Sequence, residues 1–149
     1  MMKKSQLILK DKTIYIGEIK NNKPHGRGVI QEDIAYKSTW TKRGIFKNGD
    51  FVKGQIKKSG KIVEGKFKKG NPIGKAKIIY KIYGSKRTSE YFGEIKKLKV
   101  HNYSPHGKGK LFTVYNGDIS VGEFKNGLLI KGKIYYGQTK KWIKWPPKK

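Results

Sequence analysis

The chain has few residues that could perform acid–base or metal chemistry and many that could bind anions. Its 149 residues include three histidines, no cysteine, and 36 lysines and arginines against 10 acidic residues, a net charge of +26. Without cysteine, disulfides, thiolate metal sites and cysteine nucleophiles are excluded. His25 and His106 occupy equivalent positions of a sequence repeat that is described below. Their equivalence predicts that both are turn residues bonded to local backbone. His101 has no carboxylate or cysteine at metal-ligand spacing, so we predict no catalytic residue, no metal site and no cofactor.

Three glutamates also recur at one position of this sequence repeat. Glu18, Glu94 and Glu123 each follow a glycine directly, and this periodicity predicts pairing with lysines on neighbouring strands rather than an acid–base couple. The short runs Gly-Arg-Gly and Gly-Lys-Gly-Lys resemble phosphate-binding loops, but they open no helix and lack the spacing of a P-loop. The chain is therefore predicted not to be an enzyme.

The basic residues are the most informative set. Seven of them alternate with small or apolar residues along the second strand of their repeats: Arg27, Lys75, Lys77, Lys108, Lys110, Lys131 and Lys133. Residues on one side of a strand lie about 6.6 Å apart and strands about 4.8 Å apart, so such a face would match closely spaced phosphates. A solvated face enriched in lysine by AT-rich codons is the alternative. The scarcity of acidic residues favours a polyanion-binding face.

The last residues, 138–149, are predicted to form a basic tail outside the repeats. Its contact residues are predicted to be Trp142, Trp145, Lys148 and Lys149. The tryptophans could stack on bases, insert at a lipid interface or cap the last hairpin. Two prolines end any strand there, so the final lysines are expected to form an extended arm.

A repeat positions the basic residues. It begins at the five glycines Gly17, Gly44, Gly65, Gly93 and Gly122, which are 21 to 29 residues apart, and periods of this length indicate a repeat architecture. Apolar and polar residues alternate with period two, and Asn-Gly pairs at 48–49, 116–117 and 126–127 favour two-residue type I′ turns. We predict an all-β protein, an elongated, twisted antiparallel sheet of stacked hairpins. A single domain, residues 1–137, would hold about five repeats and an N-terminal hairpin.

Two segments identify the repeat. Residues 15–30, "YIGEIKNNKPHGRGVI", and residues 91–112, with "YFGEI" and "PHGKGKLF", resemble the MORN repeat. The other copies are degenerate, with Lys42, Val63 and Ser120 in place of the tyrosine, and the fourth copy lengthens its turn by five residues. The resemblance implies an elongated, curved sheet that serves as a scaffold. It also implies association with acidic phospholipid membranes or with cytoskeletal assemblies.

Three functions are compatible with these features. The leading hypothesis is a structural protein that docks on RNA in a ribonucleoprotein, such as an organellar or divergent ribosome, because the positive charge is spread over nearly every repeat. The alternatives are a scaffold that binds acidic phospholipid membranes and a protein-only scaffold in a multisubunit assembly. With no long apolar segment, the protein is expected to be intracellular, in the cytoplasm or mitochondrion.

Overall fold

The computed structural model describes residues 4–32 and 40–148, and these residues form one antiparallel sheet of twelve strands. The strands are β1 (Lys4–Ile8), β2 (Ile14–Lys20), β3 (Lys23–Gln31), β4 (Trp40–Lys47), β5 (Asp50–Lys58), β6 (Lys61–Lys68), β7 (Asn71–Lys81), β8 (Thr88–Lys99), β9 (Asn102–Thr113), β10 (Asp118–Lys125), β11 (Leu128–Tyr136) and β12 (Lys141–Trp145). Each strand pairs with its neighbours in the chain, and the described ranges contain no helix. The predicted all-β fold of stacked hairpins is confirmed.

Two of the three Asn-Gly pairs form the expected turns. Asn48 and Gly49 have φ angles of 50° and 92°, and Asn126 and Gly127 have φ angles of 49° and 90°, as a type I′ turn requires. The third pair differs, because only its glycine has a positive φ angle. There the turn spans residues 114–117, and the amide of Gly117 bonds to the carbonyl of Thr113. The type I′ prediction for residues 116–117 is therefore wrong.

A row of small residues crosses the sheet from β2 to β11. It consists of Gly17, Gly28, Gly44, Gly54, Gly65, Ala76, Gly93, Gly109, Gly122 and Gly132. Aromatic rings lie directly on this row. A Cβ atom at Gly28 would lie 2.4 Å from the Tyr15 ring, and one at Gly109 would lie equally close to the Tyr91 ring. The row must therefore remain small for the rings to lie flat on the sheet.

The core lies on one side of the sheet, which we call the ring face. Its buried aromatic side chains form a series of contacts across the strands, from Tyr15 through Phe46, Phe51 and Phe67 to Tyr103, with neighbouring ring centroids 5.1 to 5.5 Å apart. We call the opposite side the basic face. The residues directly before and after the row residues point to this side, and many of them are lysines or arginines. One sheet thus buries its rings on its own backbone, without a second layer.

The lengthened turn of the fourth copy crosses the ring face. It closes the hairpin of β8 and β9, which at twelve residues each are the longest strands. The tip, residues 97–103, which we call the strap, contacts β4, β6 and the turn after β6. Tyr103 donates a 2.7 Å hydrogen bond to the carbonyl of Gly70, and His101 stacks on Trp40 with centroids 3.8 Å apart. Lys61 donates a hydrogen bond to the Tyr103 carbonyl. The strap therefore ties β8 and β9 to β4 and β6.

The C-terminal residues continue the sheet. Residues 141–145, which the sequence placed in a separate tail, pair with β11 as the last strand. Trp145 lies opposite Gly132 on the ring face, and its indole nitrogen donates a 2.9 Å hydrogen bond to the carbonyl of Leu129. The predicted boundary at residue 137 thus falls in the turn between β11 and β12.

Candidate functional site: a basic groove

The strand register places all seven predicted cations on the basic face. Lys110 and Lys133 lie on either side of Val121, and Lys108 and Lys131 on either side of Glu123. The remaining three, Arg27, Lys75 and Lys77, alternate with residues of the glycine row in β3 and β7. Strand pairing therefore brings the seven side chains together on one surface, as their alternation predicted.

Three of these cations, Arg27, Lys75 and Lys77, line two hollows that we together call the groove. The residues of the glycine row point to the ring face, so on the basic face only backbone lies along the row between the flanking side chains. In β5 to β8 the hollow has a volume of about 780 Å³, with Gly54, Gly65 and Ala76 at its floor. Its walls include Lys53, Lys66, Lys75 and Lys77. A second part, of about 440 Å³, follows the row across β2 to β4 between Arg27 and Arg43.

Four further cations line this row and were not identified from the sequence. They are Arg43, Lys53 and Lys66, each next to a row glycine, and Lys144, which pairs with Lys133. The predicted set was drawn from second strands, and there it omitted Lys53 beside Gly54 of β5. Arg43 and Lys66 flank Gly44 and Gly65 on first strands, so the glycine spacing itself could have identified these two.

The basic face is not uniformly charged. Exposed apolar side chains lie between the cations, among them Ile16, Ile45, Ile73, Phe92 and Phe112. The alternation in the sequence had placed the apolar residues on the opposite side. Lys77 also lies 3.7 Å from Glu90, and because both side chains are more than 40% exposed, this pair contributes little to stability.

Two of the recurring glutamates accept hydrogen bonds from backbone amides. Glu18 accepts a 2.9 Å hydrogen bond from the amide of Arg27, and Glu94 accepts a 3.3 Å bond from the amide of Lys108. The expected pairing with lysine side chains is therefore wrong for these two residues. Each carboxylate instead satisfies an amide where the pairing of its hairpin shifts register.

The two equivalent histidines join neighbouring hairpins. His25 accepts a 3.2 Å hydrogen bond from the amide of Asn48, and His106 accepts a 3.3 Å bond from the amide of Asn126. Both asparagines lie in the turn of the next hairpin, so the expected bond to local backbone is wrong. The histidines have a structural role between repeats.

The predicted tail residues lie in different environments. Trp142 is 49% exposed on the basic face, where the ammonium of Lys133 lies 4.6 Å from its ring centroid, a cation–π distance. Trp145 is half-buried on the ring face, and Lys148 is exposed. Lys149 lies outside the described residues. Trp142 is therefore the tryptophan that could contact a ligand of the basic face.

Other kinds of site find little support in the described part of the chain. Over residues 4–32 and 40–148, no three histidine, aspartate or glutamate side chains are grouped in a way that could hold a metal ion. No helix in these ranges is long and apolar enough to cross a membrane.

The architecture defines a class of protein, a repeat of β-hairpins that stack into one open sheet. Comparison with known families gives the particular repeat, because residues 15–31 match the family model of the MORN repeat. This match supports the assignment of the chain to the MORN-repeat family. No curated protein matches the chain.

Proposed function

We propose that the protein is a non-enzymatic scaffold that docks on RNA through its basic face, as a structural component of a ribonucleoprotein in the cytoplasm or mitochondrion. MORN repeats indicate a repeat-based scaffold or a membrane- or protein-binding role, and the family is generally non-enzymatic. The observation that carries the RNA proposal is the groove. Its walls carry cations from β3 to β7, and further cations flank the same glycine row on β9, β11 and β12.

Such a face would bind phosphates without reading the base sequence. Lysine ammoniums are point charges, whereas the planar fork of arginine is the group that recognises guanine edges in a bidentate way. Only two of the groove cations, Arg27 and Arg43, are arginines. Affinity would come mainly from release of counterions when ammonium groups neutralise phosphates.

A surface of acidic phospholipids is the second candidate. Its specific support is the exposed apolar side chains between the cations, with Phe92 58% and Ile73 49% exposed. Such side chains could enter the lipid interface while each lysine near an anionic surface contributes about 1 kcal/mol. We place RNA first because the positive charge extends along the basic face from β3 to β12, more than a peripheral membrane contact needs.

The salt dependence of binding tests the proposal. We expect the affinity for a structured RNA to fall linearly on a log–log salt plot, with a slope of about 0.7 to 0.9 per phosphate contacted. Charge reversal of Lys108, Lys131 and Lys133 to glutamate should reduce that slope and leave the circular dichroism spectrum unchanged, because the side chains lie away from the core.

The matched control reverses three exposed lysines outside the groove, Lys10, Lys20 and Lys86. Both triple variants change the net charge equally, so a general charge effect would weaken them alike. The proposal requires a clearly larger loss for the variant reversed at Lys108, Lys131 and Lys133. Tight binding to acidic vesicles together with weak RNA binding at about 150 mM salt would replace RNA by the membrane candidate.

A further inference from the structure

One lysine lies half-buried on the ring face, beside the core. Lys42 is two residues before Gly44, the position that Tyr15 and Tyr91 occupy before their own row glycines. Its partners on the adjacent strands are Ile30 and Ile56. A long cationic side chain therefore replaces an aromatic ring between apolar neighbours, where an ammonium group needs a compensating charge.

The surrounding charges do not provide that compensation. Burial and the charge of Lys97 lower the pKa of Lys42, and only Asp11 opposes them. In the described ranges no hydrogen bond or ion pair reaches the Lys42 ammonium. Burial together with the charges of Lys42, Lys58 and Lys97 also lowers the pKa of His101 to about 4, against the opposite effect of Asp11. Three lysines thus share one carboxylate around a neutral histidine.

A cavity lies next to this group. It has a volume of about 190 Å³ and extends from Lys42 to the turns that close the next hairpins, at Asp50 and Lys69. The aromatic side chains of Phe67 and Tyr103 line it, and Tyr103 belongs to the strap. The cavity is therefore formed where the strap lies over the ring face.

We propose that this cavity binds a phosphate group, with the Lys42 ammonium as its central ligand. Lys42 and Lys69 line the cavity together with the carboxylate of Asp50, and the Lys97 ammonium lies close to Gly70 in its lining. A phosphate carries up to two negative charges, which would balance the excess of these three lysines over Asp50, and charge-assisted hydrogen bonds to ammonium groups are strong. The volume is below the range of about 300 to 1,000 Å³ that drug-sized ligands occupy. It has room for a phosphate and a few waters of about 30 Å³ each. The site lies on the side of the sheet opposite to the basic groove.

Isothermal titration calorimetry with inorganic phosphate tests this site, at pH 7.5 and constant ionic strength. We expect Lys42→Met to weaken phosphate binding at least tenfold, because methionine keeps the length of the side chain and removes the charge. Lys57→Met is the matched control, since Lys57 is exposed on the basic face one residue from Lys58. It should bind phosphate as the wild type does. Equal affinity of the Lys42 variant and the wild type, or no binding by the wild type, overturns the proposal.

The source of the phosphate is decided by a second titration, with glycerol 3-phosphate. Binding at least as tight as that of inorganic phosphate identifies the site as one for a phosphate ester, whereas tighter binding of inorganic phosphate identifies it as a site for the free ion. Either result supports a phosphate site.

Two further variants supplement this test, one as a substitute for the Lys42 variant and one as a control. Lys97→Met should also weaken binding severalfold, and it applies if the Lys42 variant does not fold. The Lys108, Lys131 and Lys133 reversal on the basic face should leave phosphate binding within twofold of wild type. If this reversal abolishes phosphate binding and Lys97→Met does not weaken it, phosphate binds the basic face and the cavity proposal is wrong.

Discussion

The first and fourth copies of the repeat are built on the same contacts, although more than 70 residues separate their tyrosines, Tyr15 and Tyr91. Tyr15 donates a hydrogen bond to the carbonyl of Glu18 and Tyr91 to that of Glu94, both at 2.6 Å. Each ring packs edge-on against the phenylalanine of the next hairpin, with centroid distances of 5.1 and 5.2 Å. The tyrosine, glutamate and histidine of the motif therefore act together to close one hairpin and attach the next.

The two copies differ between the glutamate and the proline that precedes the histidine. In the first copy the chain turns at Asn21 and Asn22, whereas in the fourth it continues through the strap. The motif contacts are unchanged by this insertion. The comparison teaches that this interval can change in length without disturbing the hairpin, and here the added residues form contacts across the sheet.

The largest expected effect tests whether the two copies are equivalent. Tyr15→Ala and Tyr91→Ala should each lower the free energy of unfolding by about 3 to 5 kcal/mol, because both rings are fully buried and cover glycines. Phenylalanine at either position should cost only about 1 kcal/mol, the loss of one hydrogen bond. Urea unfolding measures all four variants. A small effect at one tyrosine alone would show that the shared geometry does not give shared stability.

Removal of the buried strap tyrosine is expected to have the next largest effect on the free energy of unfolding. It tests how the fourth copy differs from the first. Tyr103→Ala should lower the free energy of unfolding by about 3 kcal/mol, since it removes a buried ring and the hydrogen bond to Gly70. Asn22 is the equivalent residue of the first copy, exposed at a positive φ angle. Asn22→Gly should change stability by less than about 0.5 kcal/mol. Similar values for both variants in urea unfolding would mean that the strap does not stabilise the sheet.

The smallest of the three effects is a pH dependence of the free energy of unfolding, which arises from His101 in the fourth copy. The pKa of His101 is about 4 in the folded protein, against 6.5 for the free side chain. The unfolded chain therefore binds the proton more readily, and the associated stability is present above pH 6.5 and lost as the pH falls towards 4. Because the side chain is only half-buried, we expect a loss of about 1 to 2 kcal/mol, below the limit set by the full shift.

His101→Phe tests this pH dependence. Phenylalanine preserves the stacking on Trp40 but cannot bind a proton, so the difference in stability between pH 7 and pH 4.5 should be smaller by that amount. Lys42, Lys58, Lys97 and Asp11 all act on this histidine, and they remain in the variant. An unchanged pH profile in urea unfolding would show that His101 binds protons equally well in both states.

The fold could be predicted from the sequence because its main signals are local. The glycine period, the alternation along strands such as β11 and the turns at Asn48 and Asn126 each involve a few neighbouring residues. Pairing between successive strands then determines the register, since a slip by one residue would move Tyr15 and Tyr91 to the opposite face. The same register explains why the shared face of the seven cations could be predicted.

The contacts between distant residues could not be predicted in this way. The sequence shows that the fourth turn is longer, but nothing near His101 indicates that its ring stacks on Trp40. The histidines and glutamates of the motif were assigned to short-range or side-chain partners. Glu18 instead bonds to a backbone amide on the next strand, and His25 to one in the turn of the next hairpin. Backbone groups carry no signature in a sequence, so such partners become visible only when the strands are in place.

The strap also has a consequence for the order of folding. Nearly all pairing in this sheet joins successive strands, so the hairpins can form early and independently, with little loop-closure entropy to overcome. The hydrogen bonds of the strap to β5, β6 and the turn after β6 instead join residues 33 to 42 positions apart. They can form only after the intervening hairpins have stacked. We therefore expect strap docking to be the last step of folding and strap release to be the first step of unfolding. The folding of a sheet made of local hairpins would then end in one late, cooperative step.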